Sequence, residues 1–175
     1  MSLYTFRPFT RADLPMAARW LHAPEVARWW GDAERELAVV TEDLDEPLMQ
    51  QWVVEYRGQP FGYVQAYPVH AWPQSHFGHL PKDAKAIDAF IGEPEMLGRG
   101  HGGAFLRAFA ERLISEGAPV VAIDPNVNNH RARRAYARAG FVAEEVIETA
   151  EGVAVLMLFK RTPAPIVFAD WAHAR

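Results

Sequence analysis

Apolar residues recur at two spacings along the chain, and each spacing predicts a type of secondary structure. Alternating or short continuous apolar runs predict seven strands, at 3–9, 49–56, 61–67, 86–91, 119–123, 141–149 and 153–160. Apolar residues three or four positions apart predict four helices, over 11–22, 32–46, about 101–116 and 129–139. Thr10, followed three residues later by Asp13, matches a capping box at the start of the first helix.

The order of these elements, β-α-α-β-β-β-α-β-α-β-β, predicts a mixed α/β fold on one sheet. The strands that flank Arg57-Gly58-Gln59-Pro60 are expected to form an antiparallel hairpin. The wholly apolar strand 119–123 is typical of a strand buried on both faces, which indicates a central βαβ unit. We expect residues 72–85 to form a long loop of the kind that often carries function. One domain over 1–161 and a C-terminal tail over 162–175 complete the prediction.

Composition and charge narrow the class of protein. The chain has 175 residues, of which 50% are hydrophobic, and this suffices for one domain with its own core. No window approaches the roughly 18 apolar residues of a membrane span, and no signal peptide is expected at the N-terminus. The absence of cysteine excludes disulfides, thiolate zinc sites and a Cys nucleophile, and it fits a cytoplasmic protein. A net charge of −4 argues against a nucleic-acid partner.

A glycine cluster lies between the predicted strand 86–91 and the helix that follows it. Its sequence is Gly98-Arg99-Gly100-His101-Gly102-Gly103. Glycines let backbone N–H groups approach a ligand closely, and a helix N-terminus adds partial positive charge. A phosphate group is therefore the ligand that we expect at this turn, the alternative being a glycine-rich turn with no ligand.

The same glycines also satisfy the dinucleotide pattern G-x-G-x-x-G, with Asp124 about 20 residues further on. A nicotinamide or flavin oxidoreductase is therefore an alternative. Dinucleotide folds carry this motif on their first strand, whereas three strands precede strand 86–91 in this chain. Too few residues follow Asp124 for a second mononucleotide-binding half. Since no Lys-Ser or Lys-Thr follows the glycines, a P-loop is excluded as well.

Two stretches resemble the motifs of the GNAT superfamily of N-acetyltransferases. Residues 97–102 resemble the family's coenzyme A pyrophosphate loop, with Leu97 at the position where Arg or Gln is usual. Residues 129–141 resemble N-x-x-A-x-x-x-Y-x-x-x-G-F, with Tyr136 as the tyrosine of the motif. A narrower resemblance, to the aminoglycoside 6′-N-acetyltransferase branch, runs from about Trp29 to Lys160. It is carried by Trp29-Trp30-Gly31, residues 62–67, Ala86-Ile87-Asp88 and Asp124-Pro125.

This resemblance implies an enzyme that transfers acetyl from acetyl-CoA directly to a primary amine of a small cationic substrate. Asp88 is then the candidate base, and Tyr136 is the candidate acid for the leaving thiolate. The resemblance implies cofactor contacts from Ala89, Phe90, Ile91, Leu97, Gly98, Arg99, Gly100, His101, Gly102, Gly103 and Asn129. It implies substrate contacts from Trp29, Trp30, Gln65, Tyr67, Asp88 and Asp124.

Each of these residues also has a purely structural interpretation. Asp88 could be a strand carboxylate satisfied by backbone donors, and Tyr136 could be a core aromatic. Asn129 could cap its helix, and Asp124 could form an Asx turn with Pro125. The two tryptophans could simply cover a core. The acidic stretch 32–46 is either a solvated helix face or a rim that attracts a polycation.

Several functional alternatives also remain open at the level of sequence. A siderophore-precursor or protein amine acyltransferase would share the fold, and His70 would be a second candidate base there. A non-catalytic acyl-CoA-binding protein would keep the glycine turn without needing Asp88 or Tyr136. His70, His76, His79 and His101 lack metal-ligand spacing, so no metal site is predicted. We expect a monomer or a homodimer.

Overall fold

The structure, a computed structural model, describes residues 3–160 as one seven-stranded mixed sheet with five α-helices. The strands are β1 (Tyr4–Pro8), β2 (Gln50–Tyr56), β3 (Gln59–Pro68), β4 (Lys85–Ile91), β5 (Val120–Ile123), β6 (Val142–Thr149) and β7 (Gly152–Lys160). The helices are α1 (Leu14–Leu21), α2 (Pro24–Trp30), α3 (Ala33–Glu42), α4 (His101–Ser115) and α5 (His130–Ala139). The predicted tail, 162–175, lies outside the described residues.

The sheet has the spatial order β1-β2-β3-β4-β5-β7-β6. Strands β1 to β4 pair antiparallel in sequence order, which confirms the predicted hairpin between β2 and β3. Strand β4 pairs parallel with β5 at only two positions, Lys85 with Val121 and Ala86 with Ala122. Beyond these pairs the two strands diverge, and a gap opens in the middle of the sheet.

Helices cover both faces of the sheet, and strand alternation decides which side chains meet them. On β2, Trp52 and Val54 pack with Phe105 and Phe109 of α4. Val53, which lies between them in sequence, packs instead with the buried side chains of α1, α2 and α3. This period of two is the signature of a strand with both faces buried between helices.

The helices differ from the sequence prediction at the N-terminal side of the sheet. Residues Arg11–Asp13 form a 3-10 turn before α1, and the Asp13 carboxylate accepts the Thr10 backbone N–H at 2.9 Å. Helix α2 was not predicted, because its seven residues bury only Val26 and show too little periodicity. The helix predicted over 32–46 ends as an α-helix at Glu42, and a 3-10 turn, Asp43–Asp45, follows it. Within residues 3–160, no helix has the length and apolar character needed to span a membrane.

Candidate active site

A cleft of about 750 Å³ opens beside the point where β4 and β5 diverge. The structure brings most of the predicted site residues together in its lining. These are Trp29, Trp30, Gln65, Tyr67, Asp88, Ala89, Phe90, Ile91, Leu97, Gly98, Gly100, Gly102, Gly103, Asp124, Asn129 and Tyr136. Segments more than 100 residues apart in sequence therefore share one cavity.

Two predicted cofactor residues, Arg99 and His101, do not line the cleft. The His101 ring lies among aromatic rings of the N-terminal strands, and its Nδ1 is 2.8 Å from the Tyr4 hydroxyl. Its ring centroid is 4.7 Å from that of Tyr56 and 5.6 Å from that of Phe61. His101 could therefore contribute its backbone N–H to a ligand, whereas its side chain serves packing.

The glycine turn is shaped by backbone conformations that favour glycine. Gly98 and Gly100 have φ angles of 71° and 84°, in the left-handed region. Gly103 is required for a different reason, because a Cβ there would lie 2.8 Å from the Ala135 backbone oxygen. Glycine at this position lets α4 and α5 approach closely, and the turn leads directly into the cleft.

The N-terminus of α4 has the properties of an anion site. Its first amides have no intrahelical acceptor, and no side chain within the described segment caps them. The Arg131 guanidinium lies 3.4 Å from the point that a Cβ of Gly98 would occupy, so a cation adjoins the turn. Backbone N–H groups, the helix dipole and a guanidinium together fit a pyrophosphate group.

Asp88 lies on the floor of the cleft, on β4, and is half-buried. Its Oδ2 accepts a hydrogen bond from Gln65 Nε2 at 3.0 Å. Burial raises the pKa of Asp88 to about 7, repulsion from Asp124 adds to the effect, and the hydrogen bond from Gln65 opposes it. A carboxyl group with this pKa can accept a proton near neutral pH.

Asp124 follows β5 directly and faces the same cleft. The Asx turn that the sequence offered as an alternative for Asp124 is formed instead by Asn126, whose Oδ1 accepts the Asn128 N–H at 2.9 Å. Burial raises the pKa of Asp124 to about 6, and the charge of Glu151 contributes. Asp124 Oδ2 lies 3.2 Å from His76 Nε2, although the angle is not that of a hydrogen bond. The carboxylate thus lies in the cleft lining with His76 beside it.

Tyr136 reaches the cleft from α5. Asn129 caps this helix by accepting the Ala132 N–H at 3.2 Å, which is one of the two roles foreseen for it. The Tyr136 ring packs at 6.3 Å from the Phe141 ring. Burial raises the pKa of Tyr136 well above its ordinary value, and the charges of Asp88 and Asp124 act in the same direction. The phenol therefore keeps its proton at neutral pH.

The cleft lining holds more carboxylates than Asp88 and Asp124, which the sequence indicated. We refer to the part of the cleft that carries them as the acceptor side. Its lining includes Glu36, Asp88, Asp124, Glu148 and Glu151. Burial raises the pKa of Glu36, and the charge of Glu151 adds to this effect. Within the predicted acidic stretch, Glu36 thus faces the cleft, whereas Asp32 caps α3 by accepting the Arg35 N–H. Glu148, Glu151 and His76 were not predicted as site residues, because only the tertiary fold brings the β6–β7 turn and the loop before β4 to the cleft.

Aromatic side chains complete the walls. The Trp30 ring lies edge-to-face on Phe90, with centroids 4.9 Å apart, and both residues line the cleft. Trp29 is half-buried beside it, with the Arg28 guanidinium 4.8 Å from its ring centroid. Tyr67, which also lines the cleft, packs against Trp72 with ring centroids 5.5 Å apart. Flat apolar walls with carboxylates between them are suited to a ring that carries cationic groups.

Comparisons with known proteins agree with this geometry. The acetyltransferase (GNAT) domain family matches residues 10–149. An aminoglycoside N(6′)-acetyltransferase type 1 of Klebsiella pneumoniae is 32% identical over 169 residues, which cover 90% of this chain and 83% of that protein. A kanamycin resistance protein of Rhizobium radiobacter is 33% identical over 78 residues, covering 44% of this chain and 72% of that protein.

The fold comparison gives the same result. The solved structure of AAC(6′)-Ib with ribostamycin and coenzyme A matches with a TM-score of 0.83 and 29% sequence identity. The match covers 91% of this chain and 94% of that one. Both the family match and the Klebsiella relative extend over most of the chain. The chain therefore belongs to the acetyltransferase (GNAT) family, and it is an acetyl-CoA-dependent N-acetyltransferase.

Proposed function

We propose that the enzyme acetylates a primary amine of an aminoglycoside, a small polycation, with Asp88 as the base and Tyr136 as the acid. The observation that carries this proposal is the polarity of the cleft. One end holds the glycine turn, the α4 N-terminus and Arg131, whose guanidinium lies 4.0 Å from the Glu25 carboxylate. The other end carries five carboxylates, those of Glu36, Asp88, Asp124, Glu148 and Glu151. The aminoglycoside N(6′)-acetyltransferase at 32% identity supports the choice of substrate class.

The residues at the glycine end fit coenzyme A. The backbone of 98–103 and the α4 N-terminus would hold the pyrophosphate. Residues Ala89 to Ile91 of β4 pair with β3 but, within the described residues, have no partner on the β5 side. Their backbone groups on that side would hold the pantetheine arm. When bound, acetyl-CoA supplies an activated acetyl group. Backbone N–H groups of β4 that face the gap are the donors available to a carbonyl oxygen.

Asp88 and Tyr136, which both line the cleft, would carry out the proton transfers. An amine attacks only in its neutral form, so an ammonium group must first lose a proton. Asp88, with a pKa of about 7, can accept that proton directly or through water. Tyr136 keeps its phenolic proton, because burial raises its pKa, and it can give that proton to a leaving group. Asp124 would hold a second ammonium group of the substrate.

The decisive experiment measures free thiol released from acetyl-CoA in the presence of single amines. Since the chain has no cysteine, a thiol reagent detects only the product. We expect release with a kanamycin-type sugar that has a 6′-amine. A matched control sugar with a hydroxyl group at that position should give none.

Two outcomes would contradict the proposal. Acetyl-CoA binding without thiol release for any amine would make the protein a non-catalytic acyl-CoA binder. Release with a hydroxylysine-type siderophore precursor or a peptide lysine, and not with the sugars, would leave the acetyltransferase chemistry in place with a different substrate class.

A further inference from the structure

A continuous line of hydrogen bonds runs from α3 through the sheet to Asp88. Gln51 Nε2 donates to the Val40 backbone oxygen at 3.0 Å and to the Tyr63 hydroxyl at 2.8 Å. The Tyr63 hydroxyl donates to Gln65 Oε1 at 2.7 Å. Gln65 Nε2 then donates to Asp88 Oδ2 at 3.0 Å. We refer to Gln51, Tyr63 and Gln65 as the buried relay, since their exposed fractions are 8%, 0% and 9%.

The Val40 carbonyl fixes the direction of every donor in this relay. It belongs to the last turn of α3, and a carbonyl oxygen has no proton, so it can only accept. The amide nitrogen of Gln51, rather than its oxygen, must therefore face Val40 and Tyr63. The phenol accepts from Gln51, so its own proton points at the Gln65 oxygen. The Gln65 nitrogen is left to face Asp88, and the carboxylate receives a donor rather than a repelling oxygen.

The surroundings keep the relay in one state. The Tyr63 ring stacks on Phe90, with centroids 5.3 Å apart and planes at 19°. Phe9 and Trp30 hold it edge-on from two other sides. Burial raises the pKa of Tyr63, so the phenol stays a donor over the working pH range. Neither rotation of the ring nor ionisation of the hydroxyl is readily available.

We propose that Tyr63 and Gln51 are positioning residues that act through Gln65. They orient the Asp88 carboxylate and favour its ionised form. The proposal rests on the role of Asp88 as the base and adds what fixes its orientation. Gln65 was foreseen as a substrate contact, and in the structure it binds the candidate base itself. The relay also ties the base to α3, the helix whose Glu36, Val39 and Val40 line the acceptor side of the cleft. A substitution more than one side chain away from the substrate is thus expected to change proton transfer.

The test is Tyr63→Phe, which keeps the packed ring and removes only the hydroxyl. The Gln65 oxygen then loses the hydroxyl donor that orients its amide group. The hydrogen bond from Gln65 to Asp88 is weakened as a result. We expect kcat/KM for the amine to fall by about tenfold, the effect of weakening one hydrogen bond to a charged group. We also expect the acidic limb of its pH profile to move up by about 0.5–1 pH unit, because that bond lowers the pKa of Asp88. The KM for acetyl-CoA should stay unchanged.

Matched variants separate this role from simple loss of structure. Tyr56→Phe removes a phenol at the far end of β2 and should leave the pH profile unchanged. Gln51→Leu should move the acidic limb in the same direction as Tyr63→Phe, by a smaller amount. In an Asp88→Asn background, Tyr63→Phe should have no further effect on the rate.

The outcomes distinguish the relay from the proposed function. If Asp88→Asn keeps the full rate, the base assignment itself fails, whatever Tyr63 does. If Asp88→Asn lowers the rate strongly while Tyr63→Phe has a normal pH profile, the relay proposal alone is overturned. A carboxyl titration of Asp88 followed by NMR in Tyr63→Phe provides a readout that does not depend on turnover, and an unchanged pKa there would also overturn it.

Discussion

The charge that Asp88 needs for catalysis should lower the stability of the folded protein, and Asp88→Asn removes that charge. The carboxyl group lies on the cleft floor, and its folded-state pKa of about 7 exceeds the usual 3.8 because of burial and of repulsion by Asp124. The folded state therefore prefers the neutral form. Stability attributable to this group is full below pH 3.8 and decreases as the pH rises to about 7, after which it changes little.

The size of the effect follows from the same two pKa values. At about 1.4 kcal/mol per pH unit, the rise from 3.8 to about 7 sets an upper limit of about 4 kcal/mol. Contact with solvent in the cleft reduces this to about 2 kcal/mol. For a domain of this length, about 2 kcal/mol corresponds to roughly 4–8 °C in Tm.

The assay is thermal unfolding of the natural protein and of Asp88→Asn between pH 4 and pH 8. The variant should gain Tm relative to the natural protein, and the gain should increase from pH 4 to pH 7 and then level off. Asp83→Asn, at an exposed loop position, is the matched control and should show a pH-independent difference. A constant gain across this range, or a variant less stable at pH 8, would show that the buried charge of Asp88 does not destabilise the folded protein.

Three further predictions concern the rest of the cleft. Tyr136→Phe should lower kcat at least tenfold with little change in the dissociation constant for CoA, and equal losses in both would remove its role as the acid. An added Cβ at Gly103 would meet an α5 backbone oxygen at 2.8 Å. Chemical denaturation should therefore show a loss of about 1–3 kcal/mol for Gly103→Ala and none for Gly102→Ala. Asp124→Asn should lower the pKa of Asp88 and move the acidic limb of the rate profile to lower pH, and an unmoved limb would contradict the repulsion between Asp88 and Asp124. The same variant should raise KM for a polycation more than KM for a monoamine.

Local sequence signals were sufficient for the strands and for the glycine turn. The predicted bounds of all seven strands lie within two residues of those in the structure. The glycine positions were informative because positive φ and close backbone approach restrict the choice of residue to glycine. Asp88 was recognisable as a carboxylate within a strand, although its partner Gln65 could be paired with it only through the register of β3 and β4.

The remaining features depend on contacts that are distant in sequence. His101 begins α4, and only the packing of that helix on β1, β2 and β3 decides that its ring meets Tyr4 and not the cleft. Glu151 lies in an ordinary-looking turn, and the sheet order, with β7 inserted between β5 and β6, brings that turn beside Asp124. The orientation of the Gln65 amide depends on a carbonyl of α3 through two other side chains. None of these three contacts can be predicted from a short stretch of sequence around the residue.

The crowding of carboxylates has a calorimetric consequence. With pKa values of about 7 for Asp88 and about 6 for Asp124, the empty cleft carries bound protons in weakly acidic solution. An incoming ammonium group lowers both pKa values, so those protons must pass to the buffer when the ligand binds. The observed heat of binding should therefore vary with the ionisation enthalpy of the buffer near pH 6.5. The part of this variation that comes from Asp88 and Asp124 should disappear above pH 8, where these carboxyl groups have no proton left to release.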